Sequence, residues 1–235
     1  MKRLEKIYEG KAKILYTTED PNLIIQYFKD DATAFNGVKK GTIVDKGVVN
    51  NHISSVIYQF LEKNGIPTHF VERVSEREQL TKKLDIIPIE LVVRNVVAGS
   101  LAKRMGRLEG EALKSPILEF YYKDDDLGDP MINEYHIREF GLATDDEMAV
   151  LKERGFKIND LLVGYFKERG IRLVDYKLEF GRNNGQILLG DEISPDGCRL
   201  WNIKTNEKMD KDRFRFDLGK VEETYQEVYH LICDR

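Results

Sequence analysis

The stretch Leu173-Val174-Asp175-Tyr176-Lys177-Leu178-Glu179-Phe180 leaves this chain little freedom in how it folds. Side chains of an extended strand alternate between two faces. Val174, Tyr176, Leu178 and Phe180 then share a face that must be buried, while Asp175, Lys177 and Glu179 share the other. Gln186 to Glu192 reads as the returning strand of a hairpin, joined through Gly181-Arg182-Asn183-Asn184-Gly185. The return brings Asp191 toward the charged face. Glu179 and Asp191 beside Lys177 offer the oxygen chemistry Mg²⁺ takes from proteins: one or two carboxylates, with substrate phosphates supplying the rest. A solvent-facing charged ladder has the same pattern, because the sequence alone does not set the register.

The rest of the chain reads as mixed structure. Lys13 to Thr18 and Leu23 to Phe28 form a hairpin around Asp20-Pro21-Asn22. Val49, Ile53, Val56, Ile57, Phe60 and Leu61 repeat at helical spacing, which predicts a helix over 46–63, stopped by Asn64-Gly65. Thr68 to Val74 is a short strand. Ile86 to Val97 is nearly continuous and β-branched, as in a strand buried on both faces. Ser100 is expected to cap a helix through Met105, and Gly110 to Gly141 to be a long, acidic, turn-rich loop. Thr144 and Glu147 fit a capping box for a helix running toward Arg169, with Gly155 a candidate break. A last amphipathic helix is expected over 210–232. The order of elements predicts an α+β fold, with a small β-rich N-terminal lobe (residues 1–84) and a larger α/β C-terminal lobe (residues 85–235).

Three further motifs could carry chemistry. In Tyr8-Glu9-Gly10-Lys11-Ala12-Lys13, the glycine permits close backbone approach and the two lysines project to one side of an extended segment. They could hold a polyphosphate or protect a strand edge. In Pro88 to Asn95, continuing to Ala98-Gly99-Ser100, a buried strand ends in Arg94 and leads into a helix, an arrangement suited to a phosphate or carboxylate, or to a structural ion pair. In Asp191 to Trp201 the turn Ser194-Pro195-Asp196-Gly197 delivers Arg199 beyond the carboxylates; it could equally be a surface arginine on Trp201.

Other classes are excluded. Lys and Arg number 37 against 41 Asp and Glu, a net charge of -4, which argues against a dedicated nucleic-acid binder. The longest apolar stretch, Ile86 to Val93, is interrupted by Pro88 and Glu90 and falls short of the roughly 20 residues of a membrane helix. There is no Walker A sequence, no Gly-x-Gly-x-x-Gly and no Gly-x-Ser-x-Gly elbow. Cys198 and Cys233 read as reduced thiols, and Met1 to Lys6 lacks the apolar run of a secretory signal, so a cytoplasmic protein is expected.

Taken together and in this order, these motifs resemble the phosphoribosylaminoimidazole-succinocarboxamide synthase (SAICAR synthetase) family. The resemblance rests on Ile86 through Ser100, Leu173 to Gly181, Tyr8 to Lys13, Lys46-Gly47 and Asp191 to Trp201. It implies an ATP-dependent ligase of purine biosynthesis that joins L-aspartate to carboxyaminoimidazole ribonucleotide, giving SAICAR, ADP and phosphate. An ATP cleft would lie between the lobes, and the imidazole carboxylate would be activated as an acyl phosphate. By matching motifs, Gly10, Lys11, Lys13, Lys177 and Glu179 would bind ATP, and Glu179 and Asp191 would hold Mg²⁺. Arg94, Ser100 and Arg199 would bind the ribonucleotide, while Lys177, Asp175 and Asp129 would serve catalysis, Asp175 at the imidazole amine. The partners implied are small molecules, with no nucleic acid or membrane, and a homodimer is suggested.

One departure stands out. Many family members carry Ser/Thr-Ala-x-Asp where this chain has Thr33-Ala34-Phe35-Asn36. An amide keeps the shape of a carboxylate but not its charge, which weakens the case for a metal or base role at Asn36. Two other readings use the same motifs: a small-molecule kinase, and a non-catalytic nucleotide-binding regulator.

Overall fold

The computed structural model describes residues 1–34 and 38–234; Asn36 lies outside the described residues. The first part of the chain supplies β1 (Lys6–Glu9), β2 (Lys13–Thr17), β3 (Leu23–Phe28), a two-stranded ribbon of β4 (Asp31–Ala34) and β5 (Lys39–Thr42), helix α1 (Lys46–Lys63), β6 (Phe70–Arg73) and β7 (Glu78–Lys82). An antiparallel sheet of order β1-β2-β3-β7-β6 results. There follow β8 (Asp85–Val96), α2 (Gly99–Met105), β9 (Ala112–Tyr122), β10 (Met131–Ile132), α3 (Glu134–Glu139), α4 (Asp145–Lys167), β11 (Ile171–Asn183), β12 (Gln186–Gly190), β13 (Cys198–Asn202), α5 (Asp212–Arg215) and α6 (Val221–Cys233). Their strands form a second sheet of order β10-β9-β8-β11-β12, with β13 also paired to β11.

The fold is α+β. Strand β11 is its spine, because it is long enough to pair β13 with its first half and β12 with its second while β8 runs along its other edge. Tyr176, Leu178 and Phe180 enter the main core as the alternation requires. A register shift against β13 between Leu173 and Asp175 reverses the pattern locally, so Val174 packs with Val96, Ala98 and Trp201 instead. Ile53, Ile57 and Leu61 of α1 join Ile87, Leu91 and Phe180 in one continuous core, which ties both sheets together. The sheets also meet edge to edge: the His69 amide donates to the Leu189 carbonyl (2.9 Å) and the Leu189 amide to that of Pro67 (3.0 Å).

Several expectations need correction. Strand β8 is not buried on both faces: Ile87, Ile89, Leu91 and Val93 are buried, while Glu90 and Val92 are only partly covered. Ser100 is not the cap of α2; Ala98 is, and the Ser100 hydroxyl accepts from Arg94 instead. Residues 110–141 are not a long loop, since β9, β10 and α3 occupy most of them. Helix α4 runs unbroken through Gly155, whose bare Cα lets Leu91 pack against the helix. The expected last helix is two helices, separated by left-handed backbone at Asp217, Gly219 and Lys220. The hairpin turn is tighter than the pattern suggests, with only Asn184 and Gly185, both at positive φ, between β11 and β12. Among the described residues, no helix is long and apolar enough to cross a membrane.

Candidate active site

The charged face of β11 forms the floor of a cleft of about 370 Å³ lined by Gly10, Lys11, Lys13, Glu90, Lys123, Asp129, Lys177, Glu179 and Asp191, among others. Asp191 follows β12 directly and adopts left-handed backbone (φ 61°), and its carboxylate meets Lys13 and Lys177 in the cleft. The Lys13 ammonium ion-pairs with Asp191 and lies 3.5 Å from Glu192. Lys177 pairs with Glu179, with Glu90 at 3.0 Å and with Asp191 at 3.3 Å, and Lys123 reaches Glu179 at 3.0 Å.

The electrostatics follow from this crowding. Burial pushes the Lys177 ammonium down, but Glu179, Asp191 and Glu90 outweigh it and hold its pKa well above the ordinary value. Burial would raise the Asp191 carboxyl, yet Lys13 and Lys177 drive it far below the carboxylate range. Glu90 is raised by burial and by the charge of Glu179 against the opposing Lys177. The donors here are hard oxygens, and two of the carboxylates, Glu179 and Asp191, share Lys177. That set fits a magnesium ion whose remaining ligands come from a phosphate chain. Among the described residues no group of three or more His, Cys, Asp or Glu is placed to hold a metal unaided.

Lys11 stands at the mouth, its ammonium 2.7 Å from Asp125 in the turn after β9. Asp129 lies in the same turn at positive φ (49°) and accepts from the Asp124 amide (3.1 Å). Beside the charged floor is a more apolar pocket of about 330 Å³, walled by Leu15, Ile24, Leu84 and Ile86 and closed by His69. Burial, with the nearby Lys13 charge, lowers the His69 pKa to about 3, so this imidazole is neutral.

Arg94, Ser100, Asp175 and Arg199 also come together, at the other end of β11. Pairing of Asp175 with Arg94 on one side and with Arg199 on the other sets a row across three strands. Arg94 donates to Glu119 (2.6 Å), Asp175 (2.8 Å), Ser100 (3.0 Å) and the Tyr121 hydroxyl (3.3 Å). Arg199 donates to both Asp175 oxygens (3.0 Å each) and to Asp212 (3.0 Å). Both carboxylate oxygens of Asp175 are therefore engaged by guanidinium groups. Gly99 (φ 52°) makes room for Arg199, since a Cβ there would stand 2.5 Å from a guanidinium nitrogen.

Part of this site carries little signal in the sequence. Glu90 is hidden inside an apolar run, and Lys123 lies among turn-forming residues that read as loop. Lys211 and Arg215, which line the cleft from α5, were absorbed into an expected amphipathic helix. Their signal was available: two cations four residues apart, beyond the Pro-Asp-Gly turn.

Comparison with known proteins identifies the chain's relatives. A sequence model of the family described as SAICAR synthetase matches residues 6–232. A phosphoribosylaminoimidazole-succinocarboxamide synthase from Pelodictyon phaeoclathratiforme is 60% identical over 234 residues, covering 100% of this chain and 99% of that protein. The crystal structure of the synthase from Ehrlichia chaffeensis superposes with a TM-score of 0.95 at 51% identity, covering 97% of this chain and 98% of that one. A SAICAR synthetase in complex with ADP gives a TM-score of 0.94 at 48% identity, covering 97% of both chains.

Proposed function

The chain belongs to the SAICAR synthetase family and is an ATP-dependent ligase of purine biosynthesis, and from that premise we propose which of its residues carry the reaction. The reaction joins L-aspartate to the carboxylate of carboxyaminoimidazole ribonucleotide and yields SAICAR, ADP and phosphate. Three anionic substrates must be held close together, which a protein of net charge -4 achieves by concentrating cations in one cleft.

Residues 1–84 act as the lobe that covers ATP and residues 85–235 as the lobe that holds metal and ribonucleotide. The apolar pocket under His69 takes the flat base, while Gly10, Lys11 and Lys13 bear on the phosphates from above and Lys177 from the floor. Lys13 and Lys177 exchange carboxylate partners for phosphate oxygens as ATP enters. Glu179 and Asp191 hold Mg²⁺, which, when bound, neutralises phosphate charge as it shifts toward the leaving ADP. Arg199 and Ser100 grip the ribonucleotide, with Arg94 behind them. Asp175, expected at the imidazole amine, has both carboxylate oxygens engaged by Arg94 and Arg199 and serves instead as a positioning residue for the two guanidinium groups, and Asp129 sits at the turn facing the substrates. The γ-phosphoryl group passes to the imidazole carboxylate, the aspartate amine attacks the activated carboxyl carbon, and phosphate leaves with the bonding pair as the nitrogen gives up a proton to solvent. Such chemistry asks the protein for position and charge more than for a nucleophile. A cytoplasmic homodimer acting on small molecules alone completes the reading, in accord with the two free thiols.

The observation that carries this reading is that Lys13, Lys177, Glu179 and Asp191 converge in one cleft. The test is ADP release with each cosubstrate omitted in turn: it should require both L-aspartate and the ribonucleotide. A stable phosphorylated product without aspartate would favour a kinase instead. Glu179→Gln and Asp191→Asn should fold normally and lose more than about tenfold in turnover. Unchanged rates for both at saturating Mg²⁺ would remove them from the metal site.

A further inference from the structure

We infer that Tyr58 and Ser54 of helix α1 are positioning residues for the metal station, a two-point bracket that holds the backbone on either side of Asp191 and so sets where its carboxylate stands. The assignment rests on the reading above in which Glu179 and Asp191 hold Mg²⁺, and it names what keeps one of those ligands in place. The Tyr58 hydroxyl donates to the Gly190 carbonyl at 2.6 Å, across 132 positions of sequence. The Ile193 amide donates to the Ser54 hydroxyl at 3.4 Å. Both side chains are fully buried, and they lie one helical turn apart on the same face of α1. Burial pushes the Tyr58 phenol well above its ordinary pKa, and the charges of Asp191, Glu192 and Glu179 add to this, so the proton it donates stays with it.

The turn needs such a hold. Pairing of β12 with β11 ends at Gly190, opposite Glu179. Asp191 follows at once in left-handed backbone, a conformation that a residue other than glycine keeps only where its surroundings impose it. Its side chain is tied to Lys13 and Lys177, but both lysines turn to phosphate oxygens once ATP enters. What then holds Asp191 lies on the core side, where α1 grips the residue before it and the second residue after it. The edge of the His69 ring supports Tyr58 in turn, with centroids 5.4 Å apart and planes at 81°. The same helix supplies a contrast. Ser55 is also buried, but it donates to the Asn51 carbonyl (2.7 Å) and accepts from the Gln79 amide (3.1 Å), so it serves the first sheet and not the turn.

The experiment is calorimetric titration of the whole protein with ADP, once in EDTA and once at saturating Mg²⁺, for the wild type, Tyr58→Phe, Ser54→Ala and Ser55→Ala. In the wild type Mg²⁺ should tighten ADP binding. Tyr58→Phe leaves the Gly190 carbonyl buried without its donor, and it should shrink that gain about fivefold or more while the affinity in EDTA stays within about twofold. Ser54→Ala, which releases the longer bond, should shrink the gain about threefold. Ser55→Ala should lower stability in chemical denaturation and keep the gain within about twofold of the wild type, which separates lost position from lost stability. A wild-type gain in Tyr58→Phe overturns the inference, and so does an equal loss of gain in Ser55→Ala. Should Tyr58→Phe fail to fold, Ser54→Ala decides, and an unchanged gain there overturns the bracket. A wild type whose ADP affinity ignores Mg²⁺ would sink the metal reading itself, and the bracket with it.

Discussion

One backbone angle determines where Arg199 can stand. Gly99 is at φ 52°, and its missing Cβ is the space the guanidinium occupies. Gly106, at the end of the same helix, has φ 58° but nothing within 4 Å of a built Cβ. The two positions share the strain of a left-handed residue, about 1–2 kcal/mol for alanine, and differ only in the contact. Gly99→Ala should therefore raise the ribonucleotide KM about tenfold with little change for ATP, whereas Gly106→Ala should lower stability and leave both constants alone. Steady-state kinetics on the pair separates them; equal KM values in both variants would show that Gly99 does not position Arg199. The glycine itself was visible in the sequence as part of a turn. The reason it must be glycine was not, because Arg199 arrives from a strand a hundred residues later.

At the scale of elements, the sequence was most readable where local chemistry is self-sufficient. Both arms of the Thr144 capping box form: the Thr144 hydroxyl accepts from the Glu147 amide (3.2 Å) and the Glu147 carboxylate from the Thr144 amide (2.8 Å). Thr144→Ala should cost about 1 kcal/mol in chemical denaturation and leave turnover unchanged, since α4 packs behind the sheet, away from the cleft. A loss of turnover without a loss of stability would mean that the cap does more than start the helix. Elements governed by distant partners were misread. The end of α5 depends on Arg213, whose guanidinium donates to the carbonyls of Leu218 (3.3 Å) and Gly219 (2.7 Å) and gathers the chain into a turn. Nothing in the apolar spacing of 210–232 announces that. Strand β9 was missed because most of it is only partly covered, so its alternation is weak.

For the whole molecule, the cations of the cleft and of the arginine cluster at the other end of β11 were legible by type but not by pairing. Lys13 and Asp191 are 178 positions apart in sequence, Lys11 and Asp125 are 114, and Arg94 and Asp175 are 81. The pocket is thus a balanced lattice of ion pairs rather than a bare positive patch, and it makes the fold sensitive to protons. His69 adds a proton sensitivity of its own, chiefly through burial and then the nearby Lys13 charge: it is 2 % exposed, with its pKa depressed from 6.5 to about 3. Above pH 6.5 neither the folded nor the unfolded form carries this proton, and the residue adds no pH dependence. As pH falls below 6.5 the unfolded chain binds the proton and the folded chain does not, so stability is lost progressively down to about pH 3. At pH 5 the loss is about 2 kcal/mol. His69→Gln removes the titrating group while keeping a polar side chain at the pocket wall. The difference in unfolding free energy between pH 7 and pH 5 should therefore be about 2 kcal/mol smaller in the variant. Comparing the two pH values within each protein cancels any constant packing cost of the substitution, and the titrating acids common to both proteins cancel as well. Parallel pH profiles for wild type and variant would show that His69 takes up its proton in the folded state as readily as in the unfolded chain.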